Sequence, residues 1–255
     1  MLISKIALIT GATSGIGKAC AEIYAKNAYQ LIITGRRADR LKSLKEELEK
    51  TYPIKVITLC FDVRDKNAVS ESLLSLPEEW QKIDVLINNA GLSMGLDPIQ
   101  KGDLSDWETM IDTNIKGLLF VSKIASNWMI DHKKGHIVNL GSIAGKEVYA
   151  NGNVYCATKS AVDALNKAMR IDLLPYGIKV TGIHPGAVET EFSTVRFHGD
   201  EEKAAKIYEG YEALQAADIA ETIYFATSRP FHVNINDLVI MPTAQASAFY
   251  WNKSL

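Results

Sequence analysis

The sequence predicts an α/β fold: a doubly wound, parallel, seven-stranded sheet in a single domain over residues 1–255. Three observations carry that expectation. Short β-branched runs alternate with longer helical patterns. The runs are apolar nearly throughout, as strands covered on both faces are, and a glycine-rich turn follows the first run directly.

The candidate strands are KIALIT, QLIITG, IKVITLC, IDVLINN, GHIVNLG, IKVTGIHP and DLVIMP. Between them lie segments of helical period, such as ADRLKSLKEELEKTY from Ala38 and the long LSDWETMIDTNIKGLLFVSKIASNWMIDHKK from Leu104. Right-handed crossovers wind such units into a Rossmann-type sheet with helices on both faces. The alternation is interrupted once, from Glu189 to Ala217, where an insertion at the carboxyl end of a strand is expected to form a helical lid over a ligand.

With 47% hydrophobic and 23% charged residues and a net charge of −2, the chain has no basic excess to recruit nucleic acid or an anionic membrane. No apolar run approaches the roughly 20 residues of a membrane span. Cys20, Cys60 and Cys156 are odd in number and widely spaced, so reduced thiols in a cytoplasmic setting are expected, with neither a disulfide framework nor a metal site. MLISKIALITGATSGIG runs straight into a strand and turn, and no signal peptide is expected.

TGATSGIG, Thr10 to Gly17, opens the first helix. Gly11, Gly15 and Gly17 let the backbone turn tightly and approach a pyrophosphate, with Thr13, Ser14 and Ile16 completing the turn; the helix N-terminus adds free N–H groups and a favourable dipole. The bland alternative is a strand-to-helix turn that binds nothing. Where an NAD enzyme carries an acid on the ribose 2′-OH, this chain has Gly35, Arg36 and Arg37. Two guanidinium groups at a helix start oppose the macrodipole unless an anion sits there, so the expected cofactor is NADP(H), read at its 2′-phosphate. Asp62 and Val63 end the third strand and can meet the adenine, although Asp62 alone reads equally as a helix N-cap. Asn88, Ala90 and Gly91 end the fourth, beside a ribose.

Ser142 follows the fifth strand, and Tyr155 and Lys159 share one face of the next helix. Singly these are a turn serine and ordinary helix positions. Together with TGATSGIG, NNAG at 88–91, Asn114 in IDTNIKG, YCATK at 155–159 and HPGAVET at 184–190, they resemble the short-chain dehydrogenases/reductases over residues 5 to about 240. The resemblance implies hydride transfer between the nicotinamide C4, on its pro-S side, and a carbonyl or carbinol carbon. Tyr155 would act as general acid or base, and Lys159 would lower the phenol pKa and hold the nicotinamide ribose. Ser142 would bind the substrate oxygen, and Asn114 would bend its helix and hold a water linking Lys159 to solvent. Pro185, Gly186, Val188 and Thr190 would pass beneath the nicotinamide. An unperturbed phenol titrates near pH ~10, so its use as a base requires roughly 3–4 kcal/mol of differential stabilisation of the phenolate.

The last third, with TEFSTVRFHGD and VNIND, resembles the NADP-dependent 3-hydroxy acid dehydrogenase branch, which acts on serine, L-allo-threonine and related acids and, in reverse, on 3-oxo acids such as malonic semialdehyde. A carboxylate substrate needs a cationic partner, for which Arg196 is the candidate and Lys146 a weaker competitor; the alternative for Arg196 is a surface ion pair. The rivals are a reductase of 3-oxoacyl thioesters, sugars or steroids and, from another class, an NADPH sensor without turnover. A homotetramer is implied by the resemblance, and the aromatic tail AFYWNKSL is expected to be buried.

Overall fold

The computed structural model describes residues 5–254. Its first half runs β1 (Ile6–Ile9), α1 (Gly15–Lys26), β2 (Gln30–Gly35), α2 (Ala38–Thr51), β3 (Val56–Cys60), α3 (Lys66–Leu74), α4 (Glu78–Gln81) and β4 (Val85–Asn88). There follow α5 (Leu104–Ile111), α6 (Leu118–His132), β5 (His136–Leu140), α7 (Asn153–Asp172) and β6 (Lys179–Pro185). The last stretch holds β7 (Val188–Glu189), α8 (Phe192–Arg196), α9 (Glu201–Lys206), β8 (Leu214–Gln215), α10 (Ala216–Thr227) and β9 (Asp237–Ile240).

All seven predicted strands pair in parallel, in the order β3-β2-β1-β4-β5-β6-β9. Because the central strands are covered on both faces, alternate residues feed two cores: Ala7, Ile9, Val85 and Ile87 pack on one side, Ile6, Leu8 and Leu86 on the other. The order reverses between β1 and β4, and a cleft opens beyond the carboxyl ends of the strands at that switch.

Two departures from the helix pattern matter for the site. The long segment from Leu104 is not one uniform helix: a π turn over Asp112–Gly117 separates α5 from α6, as the resemblance expected at Asn114. The lid is not an open flap, since β7 pairs with β8 and fastens its two ends together. Two-residue strands leave no periodicity in a sequence. Of the tail, Trp251 packs on Tyr211 with ring centroids 4.9 Å apart, while Phe249 and Tyr250 stand exposed on this chain.

The glycine turn is built for contact. Gly15 has a left-handed φ of +52°, and a Cβ on Gly17 would stand 2.3 Å from the Gly11 carbonyl oxygen and 2.4 Å from Asn89 Nδ2. Gly17→Ala is therefore expected to destabilise the fold by roughly 1–3 kcal/mol in urea denaturation. An unchanged midpoint would show that the turn yields without cost.

Candidate active site

A cavity of ≈ 310 Å³ runs from Arg36 and Arg37 to Tyr155 and Lys159. All the residues expected to hold the cofactor line it except Gly17, which packs beneath the turn, and Asn88. The donor set fits a phosphorylated dinucleotide. At one end α1 begins at Gly15 with no side chain capping its N–H groups, and Ser14 and Thr13 present hydroxyls to the guanidinium of Arg37 at 2.7–3.1 Å. Thr190 closes against Gly15, where a Cβ would lie 3.3 Å from it. Asp62 is not a helix cap, for Asp65 caps α3; both Asp62 oxygens are engaged by Arg64, and Arg36 stands 3.7 Å away.

Asn88 corrects the sequence reading. As the last residue of β4 it lies on the opposite side from Ile87, and its Nδ2 donates to Ser122 Oγ at 2.8 Å and Asn139 Oδ1 at 2.9 Å, beneath the cleft floor. Asn89 faces the cleft instead, with Nδ2 donating to the carbonyls of Thr10 and Gly11, so it ties the end of β4 to the glycine turn. The alternation of a fully buried strand carries that signal, but two adjacent asparagines conceal it.

At the other end, α7 begins at Asn153 and turns Tyr155 and Lys159 toward the cavity, both buried. Lys159 Nζ donates to the Leu140 carbonyl at 2.8 Å and stands 6.0 Å from the centroid of the Tyr155 ring. Burial alone brings the Lys159 ammonium down to about 8. Burial also pushes the Tyr155 phenol well above its ordinary value; Tyr149 adds to the rise, while Arg196 and a hydrogen bond with Ser142 pull it partly back. The expected lowering by Lys159 is absent from this balance. Ser142 lines the cavity, and its Oγ accepts from the Ala144 N–H at 3.1 Å, which leaves its hydroxyl hydrogen free to point elsewhere.

Asn114 does not line the cavity. Its amide clamps Leu92, accepting from the backbone N–H at 2.9 Å and donating to the carbonyl at 2.8 Å, and it also donates to Thr158 Oγ1 at 3.0 Å on α7. The π turn thus locks the loop after β4 to the helix that carries Tyr155 and Lys159. Lys146 is removed as a candidate, because it pairs with Asp163 at 2.6 Å and approaches Asp237 at 3.6 Å.

Arg196, at the end of α8, sits over Phe192 and Tyr155, 5.0 and 5.3 Å from their ring centroids. Its Nε donates to Ser93 Oγ at 3.1 Å and its Nη2 to Tyr149 OH at 3.0 Å, residues the sequence reading did not single out. Among the described residues no carboxylate pairs with it, so the surface ion-pair alternative does not hold.

The model of the short chain dehydrogenase family matches residues 5–201, which takes in the glycine turn, NNAG and the Tyr155–Lys159 pair. The chain belongs to that family. This dehydrogenase is 47% identical over 244 residues to NADP-dependent 3-hydroxy acid dehydrogenase YdfG of Salmonella typhi, covering 95% of this chain and 97% of the relative. It is 46% identical over 248 residues to sulfoacetaldehyde reductase 2 of Chromohalobacter salexigens, covering 96% and 98%. Among solved structures it matches the closed form of serine dehydrogenase complexed with NADP+ with a TM-score of 0.90 and 45% identity, over 95% of this chain and 97% of that one.

The position of Asn88 in this dehydrogenase gives a clear expectation. Asn88→Ala removes two buried hydrogen bonds and should cost about 1–3 kcal/mol of stability while shifting dinucleotide affinity less than about twofold. A large loss of affinity at unchanged stability, measured by fluorescence titration beside thermal unfolding, would return Asn88 to the cofactor site.

Proposed function

We propose that this dehydrogenase is an NADP-dependent oxidoreductase that interconverts short 3-hydroxy acids and 3-oxo acids, with Tyr155 as the general acid or base. The observation that carries the substrate class is Arg196: a guanidinium without a carboxylate partner among the described residues, 5.3 Å from the centroid of the Tyr155 ring and oriented by Ser93 and Tyr149. NADP(H) is the cofactor, supported by the Arg36 and Arg37 end of the cavity and by relatives named for it. Bound there, it supplies or accepts the hydride.

The chain's own groups divide the remaining work. Tyr155, held neutral by burial, donates its phenolic proton to the carbonyl oxygen in reduction and must lose it before it can serve oxidation. Ser142 donates to the same oxygen and stabilises the charge that develops on it. Lys159 has three donors and one protein acceptor, Leu140 O, among the described residues, which leaves donors for ribose hydroxyls. Asn114 is a positioning residue, acting through Leu92 and Thr158. Arg196 binds the substrate anion through the donors that Ser93 and Tyr149 do not take.

A second reading keeps the same machinery and changes the anion. Sulfoacetaldehyde, the substrate in the name of one 46% identical relative, also places an acid group beside a reducible aldehyde. Arg196 suits a sulfonate as well as a carboxylate. The expected physiological substrate is a 3-hydroxy acid such as serine, L-allo-threonine or 3-hydroxypropionate, and a parallel assay of malonic semialdehyde and sulfoacetaldehyde separates the two readings.

Arg196→Ala should lower kcat/KM for L-serine or 3-hydroxypropionate by roughly 10- to 100-fold or more, chiefly through KM, because a charge-assisted hydrogen bond is lost. The methyl ester of the same acid should lose far less. Unchanged constants for the acid would remove Arg196 from the substrate site.

A further inference from the structure

Glu191 follows Thr190, the residue that packs on the glycine turn, and it directs its carboxylate back toward the start of α2. Its Oε2 accepts from Arg37 Nη1 at 2.8 Å and its Oε1 from Arg40 Nη1 at 2.6 Å. The other donors of Arg37 go to Thr13 Oγ1 and Ser14 Oγ. Glu191 lines the cavity together with Arg36 and Arg37. A carboxylate carried by the lid therefore already takes the Nη1 edge of the guanidinium fork at this end, and Thr13 and Ser14 take the other edge.

The charge balance leaves that occupant replaceable. Arg36 has Asp62 at 3.7 Å, whereas Arg37 and Arg40 share the single carboxylate of Glu191 among the described residues. The first turn of α2 adds N–H groups that no side chain caps. A phosphate monoester brings a charge of about −1.5 to −2 and three acceptor oxygens, so it is a stronger partner for the same fork. The ion pairs of Glu191 are also half-exposed, which keeps each of them weak.

We propose that Glu191 is a specificity-determining counter-anion, which holds Nη1 of Arg37 until the 2′-phosphate of NADP(H) displaces it. Arg40 keeps the carboxylate in place beside the fork, ready to return when the cofactor leaves. A dinucleotide without that phosphate leaves the pair of Glu191 with Arg37 in place. The inference rests on the reading that the Arg36 and Arg37 end receives the 2′-phosphate.

Binding of NADPH, NADH, adenosine 2′-monophosphate and adenosine 5′-monophosphate to the wild type, Glu191→Gln and Arg37→Met tests it, read by calorimetry and by nicotinamide fluorescence. Glu191→Gln should tighten NADPH and adenosine 2′-monophosphate by about threefold or more, and shift NADH and adenosine 5′-monophosphate by less than about twofold. Weaker NADPH binding in Glu191→Gln would overturn the proposal by making Glu191 part of the phosphate site, and equal shifts for both dinucleotides would overturn it by removing its specificity. Arg37→Met separates the two levels. If it leaves the NADPH over NADH preference intact, the phosphate is not read at this end and the underlying reading falls too. If it abolishes the preference while Glu191→Gln fails to tighten NADPH, only the counter-anion role falls.

Discussion

Two ionisable side chains on successive turns of α7, Tyr155 and Lys159, are held out of water, and much of the structure around the cleft follows from that requirement. A buried ammonium costs several kcal/mol unless something receives its hydrogens, and the protein offers the Leu140 carbonyl at the end of β5. α7 must then lie close against the carboxyl ends of the central strands. Asn114 secures that placement from the far side, and it reaches both Leu92 and Thr158 because the π turn between α5 and α6 presents it to them. Gly91 completes the fit: a Cβ there would press on Asn114 Oδ1 at 3.2 Å and touch Lys159 Nζ at 3.5 Å.

The same desolvation decides which proton carrier the site offers. In the protein without cofactor, burial outweighs the favourable charges and raises the phenol pKa, whereas a simple lysine-lowers-tyrosine argument predicts the opposite direction. In the proposed mechanism a protonated Tyr155 suits carbonyl reduction at neutral pH, and oxidation has to work against the raised pKa. Arg196 enters both sides of this balance. It pulls the phenol back toward ionisation, and under the proposed function it is also the partner of the substrate anion.

The sheet was legible in the sequence because seven parallel strands, the central five of them buried, leave seven apolar runs, and the glycine turn because a Cβ at Gly17 would collide with the Gly11 carbonyl. The roles of single polar residues were less so. Asn88 and Asn89 are indistinguishable by type, and only the side of β4 on which each falls separates a floor network from the cleft. Ser93 and Tyr149 belong to no motif, and Glu191 stands in TEFSTVRFHGD with no role that the motif assigns to it. Each is brought to an arginine by tertiary packing across 47 to 154 positions of chain, a distance no local pattern spans. The sequence offers Arg196 and, less strongly, Lys146 as the cation for a substrate acid, and the structure pairs Lys146 with aspartates and Arg196 with neutral oxygens.

The pH dependence of kcat/KM, followed in both directions on one 3-hydroxy acid and its 3-oxo acid, tests the role of the buried phenol most directly. With Tyr155 neutral at rest, oxidation should climb about tenfold per pH unit from neutral upward, while reduction stays level between about pH 6 and pH 8. An oxidation rate that is flat across the neutral range would mean that the base is already ionised there, and would contradict a phenol kept protonated by burial.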